Sequence, residues 1–286
     1  MAAFGCPPRP GTLGQPTVQR GQLLRPFPQF TGSTLRNPAW GNSNYHALQM
    51  RFEKRYSAGI SLLASYTWSK TITDGVDGIG VGWGAFYSRD NYCRSCERGL
   101  SSYDQPHRFV MNATYELPLG RGKAAGANWN KLVDAVLEQW QVNGILTLSP
   151  GLPLMFGLPQ NTSYSFGGGQ NPDSTGINAD LGDEKTLERW FDTRQFLAPQ
   201  PYTFGNLGRT HPNLRQDFAT NLDFSLFKSV RVKDRARVQL RGEAFNLANH
   251  SVFSSPGTTL NTATFGVVTG TSNRPRQIQL GVKVLF

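Results

Sequence analysis

The feature that most constrains this chain is a set of seven segments in which apolar and polar side chains alternate with a period of two. The last of them, RQIQLGVKVLF (276–286), has an apolar face made of Ile278, Leu280, Val282, Val284 and Phe286. A period of two places successive side chains on opposite faces of an extended strand. Such a strand at the open edge of a sheet would pair with any other chain, so we expect further structure to cover it.

The same pattern predicts six earlier strands, at 44–56, 60–70, 107–118, 140–149, 221–232 and 238–246. Short turns join the first two strands, and also the fifth and sixth, which predicts two hairpins. The alternation is imperfect because Leu63, Val110 and Ile145 interrupt the polar faces. No apolar run reaches the roughly 18 to 20 residues of a membrane-spanning helix. We therefore expect an all-β, antiparallel fold.

The polar faces help to distinguish a soluble sandwich from a membrane barrel. A sandwich exposes long charged side chains on its outer faces, whereas these faces carry mostly Ser, Thr, Asn and Gln, and only 17% of the chain is charged. Trp68 and Trp140 stand at the ends of apolar faces, as in the aromatic girdles of membrane barrels. Each segment has about the 9 to 11 residues that a tilted strand needs to cross a bilayer. This favours an up-and-down transmembrane β-barrel with a wet lumen, of which these strands form a part.

Connection lengths support the barrel, because outer-membrane barrels alternate short periplasmic turns with long external loops. Counted back from a periplasmic C-terminus, the predicted external loops are 249–274, 151–220 and 71–105. The predicted periplasmic connections are 233–235, 119–139 and 57–59. The second of these is longer than the rule prefers and contains a predicted short helix, NKLVDAVLEQW. The Pro- and Gly-rich segment 1–42 is predicted to be irregular and part of an external loop, and 43–286 to be the C-terminal section of a barrel.

The net charge bounds the partners. The chain carries a formal charge of +10, but Lys and Arg form no block of five or six. We therefore expect no nucleic-acid partner. A basic surface that faces outer-membrane lipid head groups and lipopolysaccharide fits the charge at least as well.

Few residues suggest metal binding or catalysis. The cysteines are Cys6, Cys93 and Cys96; without a second ligand pair they predict no zinc site, and Cys93 and Cys96 are either a local disulfide or two thiols. Segment 185–196 follows two carboxylates, and we expect it to be a short amphipathic helix in an external loop. Because no catalytic constellation is found, we expect neither enzymatic activity nor a cofactor.

Five stretches carry a family resemblance, and they follow one another from residue 41 to the end: GNSNYHALQMRFEKRYSAGISLLASYTWSK, ERGLSSYDQPHRFVMNATYELPLGRGK, WQVNGILTLSPGLPL, NLDFSLFKSVRVKDRARVQLRGEAFNLANH and PRQIQLGVKVLF. Together they resemble the C-terminal part of the Oar-like TonB-dependent receptors, outer-membrane transporters of Gram-negative bacteria. The resemblance implies a barrel of about 22 strands around an N-terminal plug, with uptake driven by the proton gradient. It also implies that Phe286 is the carboxy-terminal aromatic signal read by the barrel assembly machinery.

The plug, the energy-coupling box and a signal peptide of such receptors are not found in this sequence. We therefore expect a fragment of a receptor for an unidentified substrate, inactive without its plug and N-terminal strands. It would reach the TonB complex only through that missing part. The alternative is a non-transporting structural or adhesive outer-membrane β-protein that presents long surface loops.

Two sets of residues are candidates for contact with solutes. Charged residues predicted to face the lumen are Arg51, Glu53, Asp223, Arg241 and Glu243. They either tune which solutes pass or pair across neighbouring strands and solvate the wall. Aromatic residues predicted to capture ligands in the external loops are Trp83, Tyr87, Tyr164 and Trp190. Loops of this composition also simply fold over themselves.

Overall fold

The fold is mostly antiparallel β-sheet in a computed structural model that describes residues 15–24, 27–30, 41–75, 90, 93–126, 128–164, 170–233 and 236–286. Its helices and strands, in chain order, are α1 (Arg20–Leu23), β1 (Ser43–Ser57), β2 (Ile60–Thr73), β3 (Gly99–Leu100), β4 (His107–Glu116), α2 (Lys131–Leu137), β5 (Trp140–Ser149), β6 (Asp173–Ser174), β7 (Phe196–Leu197), β8 (Ala219–Lys233), β9 (Ala236–Phe245) and β10 (Gln277–Leu285). Single 3₁₀ turns lie at Arg94–Glu97, Gly182–Glu184 and Thr193–Gln195. Among these residues, no helix combines the length and apolar character needed to cross a bilayer.

One large sheet contains all seven predicted strands, in the order β1-β2-β4-β5-β8-β9-β10, and we call it the main sheet. Each strand pairs antiparallel with the next long strand along the chain. The short β3 pairs with β2, and β6 and β7 form a separate ribbon. This up-and-down order confirms the predicted topology. Among the described residues the sheet is not closed, since β1 and β10 each pair with one neighbouring long strand.

The connections at the two ends of the strands in the main sheet differ. One end has the turn at 58–59, the two-residue connection from β8 to β9 and the connection 117–139. Ala58 and Gly59 both have positive φ, 52° and 80°, which suits the tight primed turns of hairpins. The predicted helix in the third connection is confirmed as α2, and the Asn130 side chain caps it by accepting a hydrogen bond from the Val133 N–H at 2.8 Å. The other end has the long connections 74–106, 150–218 and 246–276.

The buried apolar core lies in these long connections and not in the main sheet. Its members are Leu154, Phe156, Ala179, Trp190, Phe191, Phe196, Leu207, Leu214, Leu260 and Val268. They come from connections 150–218 and 246–276, which we together call the loop cap. Among the described residues, no strand of the main sheet contributes a buried apolar side chain. The loop cap therefore folds around its own core, whereas the apolar side chains described for the main sheet are not buried.

The prediction of a helix at 185–196 is wrong. This segment is irregular, with bends at 187–188 and 190–191 and a 3₁₀ turn at Thr193–Gln195. Its backbone bonds to distant residues: the Trp190 N–H donates to the Gly266 carbonyl at 2.9 Å, and the Asp192 N–H donates to the Ala179 carbonyl at 2.9 Å. A helix would need those groups for its own ladder. Tertiary bonding has therefore overridden the local pattern.

Candidate functional site

The register of the main sheet keeps its two faces separate from strand to strand. Met50 pairs with Tyr66, Tyr66 with Phe109, and Phe109 with Leu148. Because side chains directly opposite each other point to the same face, this row of apolar side chains is continuous over four strands. Farther along the sheet, Ile278 of β10 continues the apolar face and is 73% exposed. A soluble protein rarely leaves so large an apolar surface uncovered.

The opposite face is polar over the same strands. Gln49 pairs with Thr67, and Thr67 with Arg108. Asn143 pairs with Ser225, and Ser225 with Glu243. This face therefore suits contact with water, as the alternation predicted.

The polar face has a depression of about 290 Å³ near the strand ends that carry the long connections. We call it the polar cavity. Its floor is formed by side chains of β1, β2 and β4: Tyr45, Gln49, Thr67, Ser69, Thr71 and Arg108. Its wall is formed by Tyr103 and Gln105, which belong to the segment that leads into β4. Among the lining residues Arg108 alone is charged, and no described carboxylate forms an ion pair with it.

A buried carboxylate holds the wall of the polar cavity. Asp104 is 1% exposed, and its Oδ1 accepts a hydrogen bond from the Thr71 N–H at 2.7 Å. Its Oδ2 accepts another from Arg215 Nη2 at 2.6 Å. Arg215 Nη1 also donates to the Asp104 carbonyl at 2.8 Å and lies 3.3 Å from the Gly151 carbonyl. The pair therefore joins the cavity wall to the base of connection 150–218.

Arg215 also joins the wall to the core of the loop cap. Its carbonyl accepts a hydrogen bond from Trp190 Nε1 at 3.0 Å. Trp190 is a member of the buried cluster, in which Phe156 stacks on Phe196 with ring centroids 4.2 Å apart. Hydrogen bonds thus connect the end of β2, the cavity wall and the loop cap.

The family follows from this geometry together with a sequence comparison. The sequence model of the family described as outer membrane beta barrel domain matches residues 5–279. The chain belongs to this family. Proteins of the family reside in the outer membrane of Gram-negative bacteria, which confirms the predicted fold class and location. No curated protein sequence matches the chain.

The barrel strands bring all five charged candidates to the polar face, where most have local partners. Arg51 Nη2 and Glu53 Oε2 lie 2.7 Å apart, and both side chains are well exposed. Asp223 Oδ1 accepts from the Asn246 N–H at 2.9 Å. Arg241 donates to Gln239 Oε1 at 2.8 Å and lies 4.9 Å from the centroid of the Phe227 ring. Arg51 and Glu53 pair along one strand instead of across two, and the lumenal role of these residues stays a prediction.

The aromatic candidates of the barrel's long loops have different surroundings. Trp83 and Tyr87 lie outside the described residues. Tyr164 is 60% exposed and stacks on Tyr202 at 4.8 Å between centroids. Trp190 is buried in the loop cap, so its ring has little surface to offer a ligand. Ligand capture by these residues stays a prediction.

Phe286 and the cysteines complete the predicted set. Phe286 follows β10 and is fully exposed, and its role as an assembly signal stays a prediction. Cys93 and Cys96 form a disulfide, which resolves the two alternatives left by the sequence. Within the described ranges, no group of three or more His, Cys, Asp or Glu side chains could hold a metal ion.

Two ionisable residues of the loop cap have shifted pKa values. Hydrogen bonds from Arg194 hold the pKa of Asp192 at about 2. Burial lowers the pKa of His211, although the negative charge of Asp180 opposes this shift. His211 Nδ1 accepts from the Leu214 N–H at 3.0 Å, so Nε2 carries the hydrogen that bonds Gln195 Oε1 at 3.0 Å. The ring is therefore neutral and structural, and it packs inside the cap.

Sequence reasoning missed the polar cavity and the Asp104–Arg215 pair. A partial signal was present, since Thr67, Ser69, Thr71 and Thr73 alternate at the C-terminal end of β2. The pair had no local signal, because its members lie 111 residues apart.

Proposed function

We propose that this barrel chain contributes wall strands to a TonB-dependent receptor of the Oar-like kind, which takes up a substrate across the outer membrane. It acts in transport and is not an enzyme. The single observation that carries the proposal is the separation of an apolar face from a polar face along the main sheet, with the polar cavity over β1, β2 and β4. Such a wall separates lipid from an aqueous pathway.

One detail of the apolar face supports contact with membrane lipid at the strand ends that carry the short turns. Lys228 lies on that face, yet its ammonium group donates a hydrogen bond to the Glu138 carbonyl at the strand ends that carry the short turns. It also lies 5.9 Å from the centroid of the Trp140 ring. A lysine that bends toward an aromatic residue at a strand end is typical of a membrane interface.

The open edges support a larger assembly. β1 and β10 keep unpaired backbone groups along one side among the described residues, and such groups must be satisfied inside a bilayer. Further strands from the same receptor would pair with both edges and close the barrel. We propose that the barrel assembly machinery performs this closure after it binds the C-terminal strand with Phe286, and that the TonB complex acts through a plug domain of the receptor.

The loop cap favours a second candidate, a non-transporting adhesive or structural barrel. Its buried core gives the cap a fixed shape that could serve as a recognition surface. Transport remains the first candidate, because adhesion through the loop cap does not require a cavity on the polar face.

The proposal is tested on outer membranes of the source bacterium, probed with an antibody against residues 246–276. We expect a heat-modifiable polypeptide several times larger than 31.6 kDa, which copurifies with TonB after crosslinking. Collapse of the proton gradient should change the crosslinking yield. An unrelated barrel protein from the same membranes serves as the control.

Two results would contradict transport. One is a product that inserts in the membrane but never crosslinks to TonB, which would favour the adhesive candidate. The other is recovery of the protein only from the water-soluble fraction, which would remove both candidates.

A further inference from the structure

We propose that the polar cavity binds a small saccharide that carries an acidic group. The inference names a ligand class for the proposed receptor and depends on that proposal for its biological meaning. The cavity is built from described residues of three adjacent strands and one anchored wall. None of its lining residues was among the candidates from the sequence.

The size and lining of the cavity limit what it can hold. Its volume of about 290 Å³ is just below the roughly 300 to 1,000 Å³ typical of ligand pockets, so it suits a small ligand. The lining is dominated by hydroxyl and amide groups, with two tyrosine rings. An apolar ligand would leave those groups without partners, which is costly. A ring with several hydroxyl groups matches them, because each hydroxyl both donates and accepts.

Several of the lining side chains are free to bind. Within the described part of the chain, the side chains of Tyr45, Gln49, Thr67 and Tyr103 make no hydrogen bond to the protein. Ser69 differs, since its hydroxyl donates to the Gln105 carbonyl at 2.8 Å. The free groups come from β1, β2 and the wall, so they approach a bound ring from more than one side.

Arg108 selects for an acidic group on the sugar. It is the one charged lining residue, it pairs with Thr67 in the register of the floor, and its side chain makes no described hydrogen bond. A guanidinium group binds a carboxylate through two parallel hydrogen bonds.

The wall is preorganised for binding. Asp104 lies between Tyr103 and Gln105 and is held by Thr71 and Arg215 at 2.7 and 2.6 Å. The Ser69 N–H also donates to the Pro106 carbonyl at 3.0 Å. Since the wall is already ordered, a ligand would not have to immobilise it, which favours affinity.

The test measures equilibrium binding to the chain refolded in detergent, with glucuronate, glucose and cyclohexanecarboxylate as probes. Wild type should bind glucuronate saturably and glucose about tenfold more weakly or worse, as expected for the loss of a charge-assisted hydrogen bond. Arg108→Gln should remove the preference for glucuronate. The matched control Arg241→Gln changes an arginine on the same face but outside the cavity, and it should bind like wild type. Circular dichroism must first show the same β-structure in all variants.

A second measurement needs no refolding. In outer membranes that contain the chain with Cys6→Ser, glucuronate should slow maleimide labelling of Thr67→Cys but not of Ser225→Cys, which lies on the polar face away from the cavity. Absence of saturable glucuronate binding together with absence of protection would overturn the inference. So would equal affinity for cyclohexanecarboxylate, or binding that Arg108→Gln leaves unchanged. Neither measurement involves TonB or the proton gradient, so their failure is separate from a failure of the proposed transport.

Discussion

The assignment of the apolar face to lipid is tested by placing an arginine on each face of β4 at one depth. Met111 is the fifth of the ten residues of this strand and lies on the apolar face between Ala64 and Leu146. Asn112 is next in sequence and lies on the polar face. Because the two positions differ by one residue, Met111→Arg and Asn112→Arg differ in the face they occupy and hardly in depth.

The expected magnitudes follow from the position of each residue in the strand. Arginine on a lipid face costs about 2 to 4 kcal/mol at the bilayer midplane and about 0 to 1 kcal/mol near the interface. Met111→Arg should therefore lower the free energy of unfolding by about 2 to 4 kcal/mol, which is roughly 30-fold to 1,000-fold in the folding equilibrium. Asn112→Arg should change it by about 0.5 kcal/mol or less. Tyr115→Arg, near the short-turn end of the same face, should cost about 1 kcal/mol or less.

The assay is reversible urea unfolding in phospholipid vesicles, followed by tryptophan fluorescence from the six tryptophans of the chain. The reasoning is refuted if Asn112→Arg costs as much as Met111→Arg. It is also refuted if Tyr115→Arg costs as much as Met111→Arg, because a loss that does not depend on depth indicates a dry protein interior behind that face.

Two further predictions concern the loop cap. Arg215→Met leaves the buried Asp104 carboxylate without its cation, so we expect limited proteolysis within 150–218 to show a loss of about 3 to 5 kcal/mol in loop stability. The double variant with Asp104→Asn should recover part of this loss, and an equal loss in both would contradict the pairing. The second prediction concerns pH. The pKa of Asp192 is about 2 in the folded protein, against an ordinary value of 3.8. The charged carboxylate therefore stabilises the cap fully above about pH 4, and this contribution is lost as the pH falls toward about 2. Protease resistance of wild type should fall across that window, whereas Asp192→Asn, which is weaker at pH 7, should change little; parallel profiles would refute the linkage.

Sequence alone predicted the elements whose signals are local. The seven strands of the main sheet appear close to where a period of two placed them, for example 140–149 as β5. The helix α2 was also predicted, in the run NKLVDAVLEQW, and in the structure Asn130 caps it. In both cases residues within a few positions carry the information.

Predictions from local pattern failed where distant contacts compete. The run at 185–196 has helical periodicity, yet its N–H groups bond to Gly266 and Ala179. The lining of the polar cavity could not be selected from the sequence for a related reason. Polar positions recur along every strand, and only the wall at 101–106 decides which of them enclose a volume.

The alternation of this sequence by itself determined an antiparallel sheet with one apolar and one polar face, because side-chain direction in a strand is set residue by residue. The tertiary structure decided that the apolar core belongs to the loop cap, that Asp104 and Arg215 meet across 111 residues, and that a cavity opens beside them. These features depend on which loops pack together, and packing between distant segments leaves no period in the sequence.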